Sequence, residues 1–465
     1  MATRILPGVD IAVIKEIVPQ QLNPSGVVGM IGTTEKGDLM KPVHLGSYKE
    51  FTEKFGSGTD YSIIKDAKLA FLNGVYEIVV VSVPTSGGGK ASAVLKNKKD
   101  KDTVKLEAKS EGDYGNEISV KVEEAIESIT LTITNGKDVE VWENLIMDAT
   151  SDKYLVKFIN ENSKLVNAGD LGAKTKFPDS NLAVTECKLS GGAKGKEPSK
   201  EAYEGALEKL ESEPDVDMVL ACDVSDPEIH ALIDAHCKNM SKNAKPRIGI
   251  GCVSKGESIE DIIKRTNVLS SDRFVIVAPY GVVEKVNGVE EVVGGVAGAV
   301  AGLISRLNYY ESPTFKAITG ISDIEKHWTP AELSELLKVG ILAIEIQRGR
   351  GIIVEKGIST SKEQISVTRV ADNAVRGVKN ISDNFIGTLN NPTGRSALKE
   401  KITEFFIRMQ NEGSIVPSTD LKEPAFLVDV YCSELDFAQG IVRVDIAVRP
   451  VRAIDYIYAT ILVEM

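Results

Sequence analysis

Three residues in the middle of the chain, Asp223, His230 and Ser254, have the types and the order of an acid, a base and a nucleophile. In serine proteases, such an acid orients the base, and the base removes the proton of the serine hydroxyl. A working nucleophile lies on a distinctive strained turn, and the residues around Ser254 predict no such turn. Polar residues at helix ends explain the set better, so we predict no catalytic residue.

Two other candidate sites are also incomplete. His230, His236 and Cys237 carry groups that bind zinc, but their spacing does not direct all three toward one ion as the HExxH motif does. The glycine-rich stretch Gly191–Lys196 has one residue too few between its glycines for a phosphate-binding P-loop, and Glu197 follows where that loop has Ser or Thr. We therefore predict no metal site and no cofactor, which favours a structural role.

The elements that would position these residues alternate between strands and helices. Val27–Thr33 and Val75–Val83 have the apolar pattern of buried strands. Farther on, Val216–Val224, Arg247–Val253 and Arg273–Ala278 are predicted strands with a helical pattern between each pair. Alternation of this kind predicts a parallel sheet with helices on its faces.

Two helix predictions within this region are specific enough to be tested. Ser225 and Glu228 predict the cap of a helix after the strand Val216–Val224. Glu290–Leu307 is predicted to be one helix, in which Gly294, Gly298 and Gly302 recur every four residues and leave a groove for another backbone.

A segment with a different sequence pattern separates the two α/β stretches. From Ala91 to about Val184 the sequence is rich in lysine and alternates apolar with polar residues, for example at Val104, Leu106 and Ala108. This period of two predicts a β-rich domain inserted into the α/β body, with a sandwich-like or barrel-like core and a solvent-exposed surface.

The end of the sequence predicts two consecutive strands. Val442, Val444, Ile446 and Val448 would share one face of the first, whereas the second, from Ile454 to Val463, is apolar on both faces. An apolar strand at a chain end aggregates unless it is paired. It must therefore pair inside its own subunit or be lent to a neighbour.

Composition limits the classes of function. The 465 residues should form about three or four domains. A formal charge of −12 argues against a nucleic acid or an anionic membrane as partner. The longest apolar segment, Val292–Ile304, is much shorter than a membrane span. Five cysteines without a CxxC pair, and no signal-like start, predict reduced thiols in a cytoplasmic setting.

Several short motifs are distributed over nearly the whole chain. They are LPGV (Leu6–Val9), GVVGMIGTTEKG (Gly26–Gly37), KFG (Lys54–Gly56), GDYGNEI (Gly112–Ile118), VWENLIM (Val141–Met147), VAPYG (Val277–Gly281), VAGAVAGLISR (Val296–Arg306) and EGSIV (Glu412–Val416). In content and order these motifs resemble the contractile tail sheath proteins of phages and related injection machines.

The resemblance implies an α/β fold with a subtilisin-like parallel sheet, an inserted β-rich domain on the outside and terminal arms of extended β-strand. It implies the following division: an amino-terminal strand arm (1–20), an α/β segment that joins the core (21–88), the inserted domain (91–190), the subtilisin-like domain (196–360), a C-terminal α/β domain (361–440) and a carboxy-terminal strand arm (441–465).

The resemblance also implies a function, with a subunit that forms a helical tube of hexameric rings and contracts without ATP. Implied partners are other copies of the chain, an inner tail tube, a baseplate and a tail terminator, in a virion tail or contractile particle assembled in the host cytoplasm. Implied strand-exchange residues are Val9, Ile11, Val13, Val442, Val444, Ile446, Val448, Tyr456, Ile457, Tyr458, Ile461 and Val463. A subtilisin-like hydrolase and a surface-layer or adhesin module remain alternatives.

Overall fold

A computed structural model of the chain describes residues 26–459, except 59–60, 137, 174, 176 and 287–288. The predicted amino-terminal arm (1–20), with Val9, Ile11 and Val13, lies outside the described residues, as do Ile461 and Val463 at the other end.

The described residues form strands and helices that we number along the chain. The strands are β1 (Val27–Gly32), β2 (Pro42–Leu45), β3 (Ile78–Ser82), β4 (Ser92–Lys96), β5 (Asp102–Ala108), β6 (Ser119–Ala125), β7 (Ser128–Asn135), β8 (Asp138–Leu145), β9 (Val166–Asp170), β10 (Thr185–Lys188), β11 (Val216–Ala221), β12 (Ile248–Cys252), β13 (Phe274–Ala278), β14 (Gly281–Val286), β15 (Val289–Gly295), β16 (Asp323–Ile324), β17 (Ile341–Gln347), β18 (Gly351–Val354), β19 (Phe426–Tyr431) and β20 (Arg443–Val448). The helices are α1 (Tyr48–Phe55), α2 (Ser62–Leu72), α3 (Leu155–Asn162), α4 (Lys200–Leu210), α5 (Pro227–Lys242), α6 (Ile259–Val268), α7 (Ala297–Arg306), α8 (Pro330–Val339), α9 (Ile365–Asp383), α10 (Pro392–Asn411) and α11 (Glu434–Ala438).

An eight-stranded sheet in the order β18-β17-β13-β12-β11-β1-β3-β2 occupies the centre of the molecule. The six strands from β17 to β3 are parallel, and the edge strands β18 and β2 pair antiparallel. Every residue of β1, β3, β12 and β13 is buried. Strands covered on both faces must be apolar throughout, which explains runs such as Ile78–Val81.

Helices cover both faces of this sheet. On one face, α1, α2 and α7 pack Phe51, Ile63 and Val300 against the strands. On the other, α4, α5, α6 and α8 contribute side chains such as Leu207 and Ile233. The mixed α/β architecture is the one that the alternating sequence pattern predicts.

Two local predictions in this region were wrong. The segment predicted as one helix, Glu290–Leu307, divides into β15 and α7 because its first half carries a run of β-branched valines and pairs antiparallel with β14. Gly294 therefore lies in a strand, but Gly298 and Gly302 lie in α7, where a Cβ atom on either would collide with the backbone of α2. The cap of α5 is Asp226 rather than Ser225, and its side chain accepts a hydrogen bond from the backbone N–H of Glu228.

The stretch between β3 and α4 forms two antiparallel sheets, β10-β6-β7-β8 and β4-β5-β9. Their inward side chains, with Leu155 and Ile159 of α3, enclose a single apolar core. Leu106, Val120 and Leu131 in this core are fully buried, as expected for strands with one covered face.

A glycine-rich neck connects this unit to the central sheet. Gly89 and Ala193 exchange backbone hydrogen bonds between the two chain segments of the neck. Asn116, in the GDYGNEI motif, donates from Nδ2 to the Gly192 carbonyl at 2.8 Å and accepts at Oδ1 from the Gly192 N–H at 2.8 Å. One asparagine thus holds the returning segment in both hydrogen-bonding directions.

The C-terminal unit consists of α9, α10, α11 and the antiparallel pair β19-β20. Polar contacts anchor α9 to the central sheet: Asp372 pairs with Arg273, Arg376 pairs with Asp217, and the fully buried guanidinium of Arg369 donates to backbone carbonyls. A separate apolar core lies between α9, α10 and the β19-β20 pair.

Candidate functional site

The structure does not assemble the protease-like set. The His230 side chain is buried, and its Nε2 atom is 3.1 Å from the Val224 carbonyl oxygen. Ser254 Oγ is 3.0 Å from Ser225 Oγ and accepts from Arg265 at 2.7 Å, while Asp223 accepts from the Tyr280 hydroxyl. Burial lowers the pKa of His230 to about 4. Each of the three residues therefore bonds a different partner, and their roles are in local packing.

His230, His236 and Cys237, whose spacing does not direct them toward one zinc ion, also lie in separate local surroundings. His236 Nε2 is 2.8 Å from a guanidinium nitrogen of Arg247. Burial, followed by the charge of Arg247, lowers the pKa of His236 to about 4, while burial raises the pKa of the Cys237 thiol to about 12. Within the described residues, no group of three or more His, Cys, Asp or Glu side chains could hold a metal ion.

A buried carboxyl group joins three elements near the carboxyl ends of the parallel strands. Asp66 of α2 accepts from the backbone N–H of Gly298 at 2.8 Å and from that of Asp223 at 3.0 Å. Burial, and then the charge of Asp223, raises the pKa of Asp66 to about 7. The carboxyl group therefore links α2, α7 and the end of β11 by hydrogen bonds, which is a structural role.

The β19-β20 pair combines a covered inner face with an exposed outer face. Val428 of β19 lies opposite Ile446 of β20, and both pack on the C-terminal core. Beneath them the Phe406 ring of α10 stacks on the Phe426 ring with centroids 5.4 Å apart. The outer face carries Leu427, which is 61% exposed.

Both outer edges of this pair are unpaired along the strands. In the described part of the chain, no third strand joins β19 or β20. The N–H of Arg449 donates to the Ala425 carbonyl, and antiparallel hydrogen bonding alternates along a strand. We infer that Val444, Ile446 and Val448 direct their N–H and C=O groups toward the open edge of β20.

After β20 the chain crosses the surface of its own subunit. Val416 donates to the Arg449 carbonyl at 3.0 Å, and Val451 donates to the Ser414 carbonyl at 2.9 Å. The EGSIV motif, Glu412–Val416, thus holds the base of the terminal segment. The segment ends in large apolar or aromatic side chains that are mostly exposed: Tyr456 is 66%, Ile457 84% and Tyr458 95% exposed.

The predicted exchange residues therefore fall into three groups. Val442, Val444, Ile446 and Val448 lie in or beside β20 and pack on their own subunit. Tyr456, Ile457 and Tyr458 lie in an exposed segment for which the structure gives no strand as far as residue 459. Val9, Ile11, Val13, Ile461 and Val463 lie outside the described residues.

Sequence reasoning missed several parts of this site. The alternation at Phe426, Val428 and Val430 was a readable signal for β19. The residues that contact the terminal segment, Lys356 and Gln364 among them, carry no sequence signal, because their partners lie 100 and 89 positions away.

Two family models match the chain. The phage tail sheath protein central domain matches residues 196–360, and the phage tail sheath C-terminal domain matches residues 359–464. A tail sheath protein of Staphylococcus phage Twort is 27% identical over 241 residues, which are 49% of this chain and 40% of that protein. The chain spans about half the length of the curated relatives that it matches.

Solved structures show the same fold. The sheath tail protein of Desulfitobacterium hafniense is 18% identical, with a TM-score of 0.67 over 96% of this chain and 97% of that one. The helical sheath of the anti-feeding prophage in its contracted state is 12% identical, with a TM-score of 0.59 over 99% of both chains. In the described part of this chain, no helix is long and apolar enough to cross a membrane.

Proposed function

Because the chain belongs to the phage tail sheath family, whose two domain models together match residues 196–464, we propose that it polymerises with itself into a contractile tube. In this proposal the tube surrounds an inner tail tube and is built from hexameric rings. It contracts by rearrangement of its domains, while strands exchanged between subunits keep the lattice connected, and the contraction drives the inner tube through the target envelope.

The unpaired β19-β20 sheet is the observation that carries this proposal. A sheet of only two strands is marginal, and its open edges offer backbone groups to another chain. A strand from a neighbouring subunit would satisfy these groups and enlarge the sheet. Val442, Val444, Ile446 and Val448 then act as the receiving strand of their own subunit.

The exposed terminal segment is the natural donor. Ile454, Tyr456, Ile457 and Tyr458 are all at least 66% exposed, although each is a large apolar or aromatic residue. Pairing with a neighbour would bury these side chains, and each fully buried one contributes roughly 1.5–3 kcal/mol. We include Ile461 and Val463, and the amino-terminal Val9, Ile11 and Val13, as further donors.

Such a contact can build rings or an open helix rather than a closed pair. The donor segment and the receiving sheet are different surfaces of one subunit, so the interface is heterologous and can repeat without limit. Contraction would release the lattice from a metastable extended arrangement to one that buries more surface between subunits. The proposal also includes a baseplate and a tail terminator as partners, and assembly in the host cytoplasm. For the central sheet, we propose a relationship to the subtilisin fold.

Deletion of Tyr456–Met465 tests the donor side. The truncated chain should remain folded, since the described residues it loses contact no apolar core. It should no longer form long tubes in negative-stain electron microscopy. Tubes of normal length from the truncated chain would refute strand exchange through this segment.

Two matched proline variants test the receiving side. By the hydrogen-bond alternation inferred above, Val444→Pro removes an N–H that points to the open edge, whereas Asp445→Pro removes one that bonds β19. We expect Val444→Pro to keep the β19-β20 pair but to block tube formation, and Asp445→Pro to disrupt the pair itself. Normal tubes from Val444→Pro would exclude the edge of β20 as the receiver.

A further inference from the structure

We propose that Gln364 is a clamp for the carboxy-terminal arm, which fixes where the arm leaves its own subunit and so sets the register of the strand presented to a neighbour. The inference deepens the function proposed above, on which its consequence for assembly rests. The clamp itself is a property of the single chain and can be tested without tubes.

The side chain of Gln364 bonds one residue of the arm in both directions. Its Nε2 donates to the Ala453 carbonyl at 3.1 Å, and its Oε1 accepts from the Ala453 N–H at 2.9 Å. The same Nε2 donates to Asp455 Oδ2 at 2.8 Å. A carboxamide that uses its donor and its acceptor on one residue imitates the hydrogen-bonded partner residue of an antiparallel strand.

The position of Gln364 in its helix supports a task outside the helix. It occupies the N-cap of α9, where Ser, Thr, Asp or Asn usually satisfies a free helix N–H, and its side chain makes no capping hydrogen bond. The side chain is instead turned to the arm, and the residue is only 6% exposed. Both polar atoms of this buried carboxamide are satisfied by the arm.

Charged neighbours flank the clamp on both sides. Arg452 forms a forked contact with Glu363 at 2.9 and 3.2 Å. Lys356 lies 3.4 Å from Asp455 Oδ2 and donates to the Tyr456 hydroxyl at 3.1 Å. The ion pairs add electrostatic attraction. Among the described residues of the arm after Val451, whose N–H bonds the Ser414 carbonyl, the carboxamide of Gln364 is the group that bonds the backbone directly.

The chain uses the same device at two further places where distant segments meet. Asn116 bonds Gly192 in both directions at the neck, and Asn73 bonds Thr319 in the same way beside α2. In those two cases the held segment continues into a packed unit. At Gln364 it continues into the exposed residues Ile457 and Tyr458, so the clamp there holds a segment that does not continue into a packed unit within the described residues.

The register argument follows from the period of two in a strand. If the arm slipped by one residue at Ala453, every side chain beyond it would point to the opposite face. A clamp at the backbone of Ala453, directly before the exposed apolar residues, prevents that slip. We infer that loss of the clamp makes pairing with a neighbour less uniform and tubes shorter.

Trypsin cleavage of the full, unassembled chain measures the clamp. The bond after Arg452 can enter the protease only when the arm leaves Gln364 and Glu363. Gln364→Ala removes three hydrogen bonds to the arm. We expect it to accelerate this cleavage about tenfold or more, because a loss of only about 1.4 kcal/mol changes an opening equilibrium by that factor. Cleavage after Lys99, in an exposed turn of the inserted unit, serves as the internal reference.

Gln410→Ala is the matched control, since Gln410 is exposed on α10 and the arm does not contact it. If Gln364→Ala unfolds the chain, Asp455→Ala provides the test instead. This variant removes contacts to Gln364 and Lys356, and Asp455 lies outside every helix and strand. A wild-type cleavage rate after Arg452 in folded Gln364→Ala, or in Asp455→Ala when Gln364→Ala does not fold, overturns the clamp. Failure of the wild-type chain to form tubes would refute the proposed function but leave this cleavage result valid.

Discussion

The inserted unit and the C-terminal unit are both built on antiparallel strands, but only the inserted unit encloses an apolar core between two sheets. Its two sheets enclose their own core, and Leu106, Val120 and Leu131 are fully buried. In the C-terminal unit, a single pair of strands covers a helical core with one face and leaves its outer face and both edges open. The inner side chains of that pair are only partly buried.

The contrast has a physical explanation. A β-unit that need not change its partners can bury the inner faces of two sheets against each other, as the inserted unit does. A subunit that must connect to its neighbours and still move needs unsatisfied backbone groups, which a strand from outside can bond reversibly. In the function proposed above, the open pair is the part of this chain where stability of the monomer is exchanged for the capacity to assemble.

The largest expected effect comes from removal of one core residue in each unit. Phe406→Ala should cost about 3–5 kcal/mol and Leu131→Ala about 2–5 kcal/mol, since each side chain is fully buried in its core. If the units are independent, hydrogen exchange should rise in β19 and β20 for the first variant and in β6, β7 and β8 for the second. Faster exchange in both units from either variant would break the comparison.

A smaller effect is expected at the neck. Asn116→Ala leaves the N–H and C=O of Gly192 without their partners, at a cost of about 1–3 kcal/mol for opening the neck. Trypsin should then cleave faster after Lys194 and Lys196, while the core of the inserted unit keeps its slow exchange. Asn167→Ala, on the exposed side of β9, is the control. Unchanged cleavage would show that the glycine-rich ribbon holds the neck without Asn116.

Part of this picture could be predicted from the sequence because it depends on local periodicity. The alternation from Val442 to Val448 predicted a strand, and β20 extends over Arg443–Val448. The alternation in the inserted stretch predicted antiparallel strands with one covered face, which the structure also has. Helix caps such as Thr329 with Glu332 depend on residues three positions apart, and the capping box there is present.

The rest depends on contacts between distant residues. The valines after Glu290 fit a buried helix or a strand equally well, and pairing with β14 decides between the two. The partner of Asn116 is 76 positions away and that of Gln364 is 89 positions away, so no local pattern could reveal either contact. The period of two identifies a strand, but it does not tell which chain supplies the partner.

The smallest expected effect concerns the outer faces of the two units and separates monomer stability from assembly. Leu427 on β19 is 61% exposed and Val141 on β8 is 52% exposed. Leu427→Ser and Val141→Ser should each change the free energy of unfolding of the unassembled chain by less than about 0.5 kcal/mol, because neither side chain is in a core. The pair also has an open edge at β19, and a strand added there would place new side chains next to Leu427. The first variant should then form tubes that dissolve at lower urea concentration. The second should form tubes of wild-type resistance, since the proposed exchange does not involve the inserted unit. Equal resistance of the tubes of both variants would mean that the outer face of β19 stays uncovered in the tube.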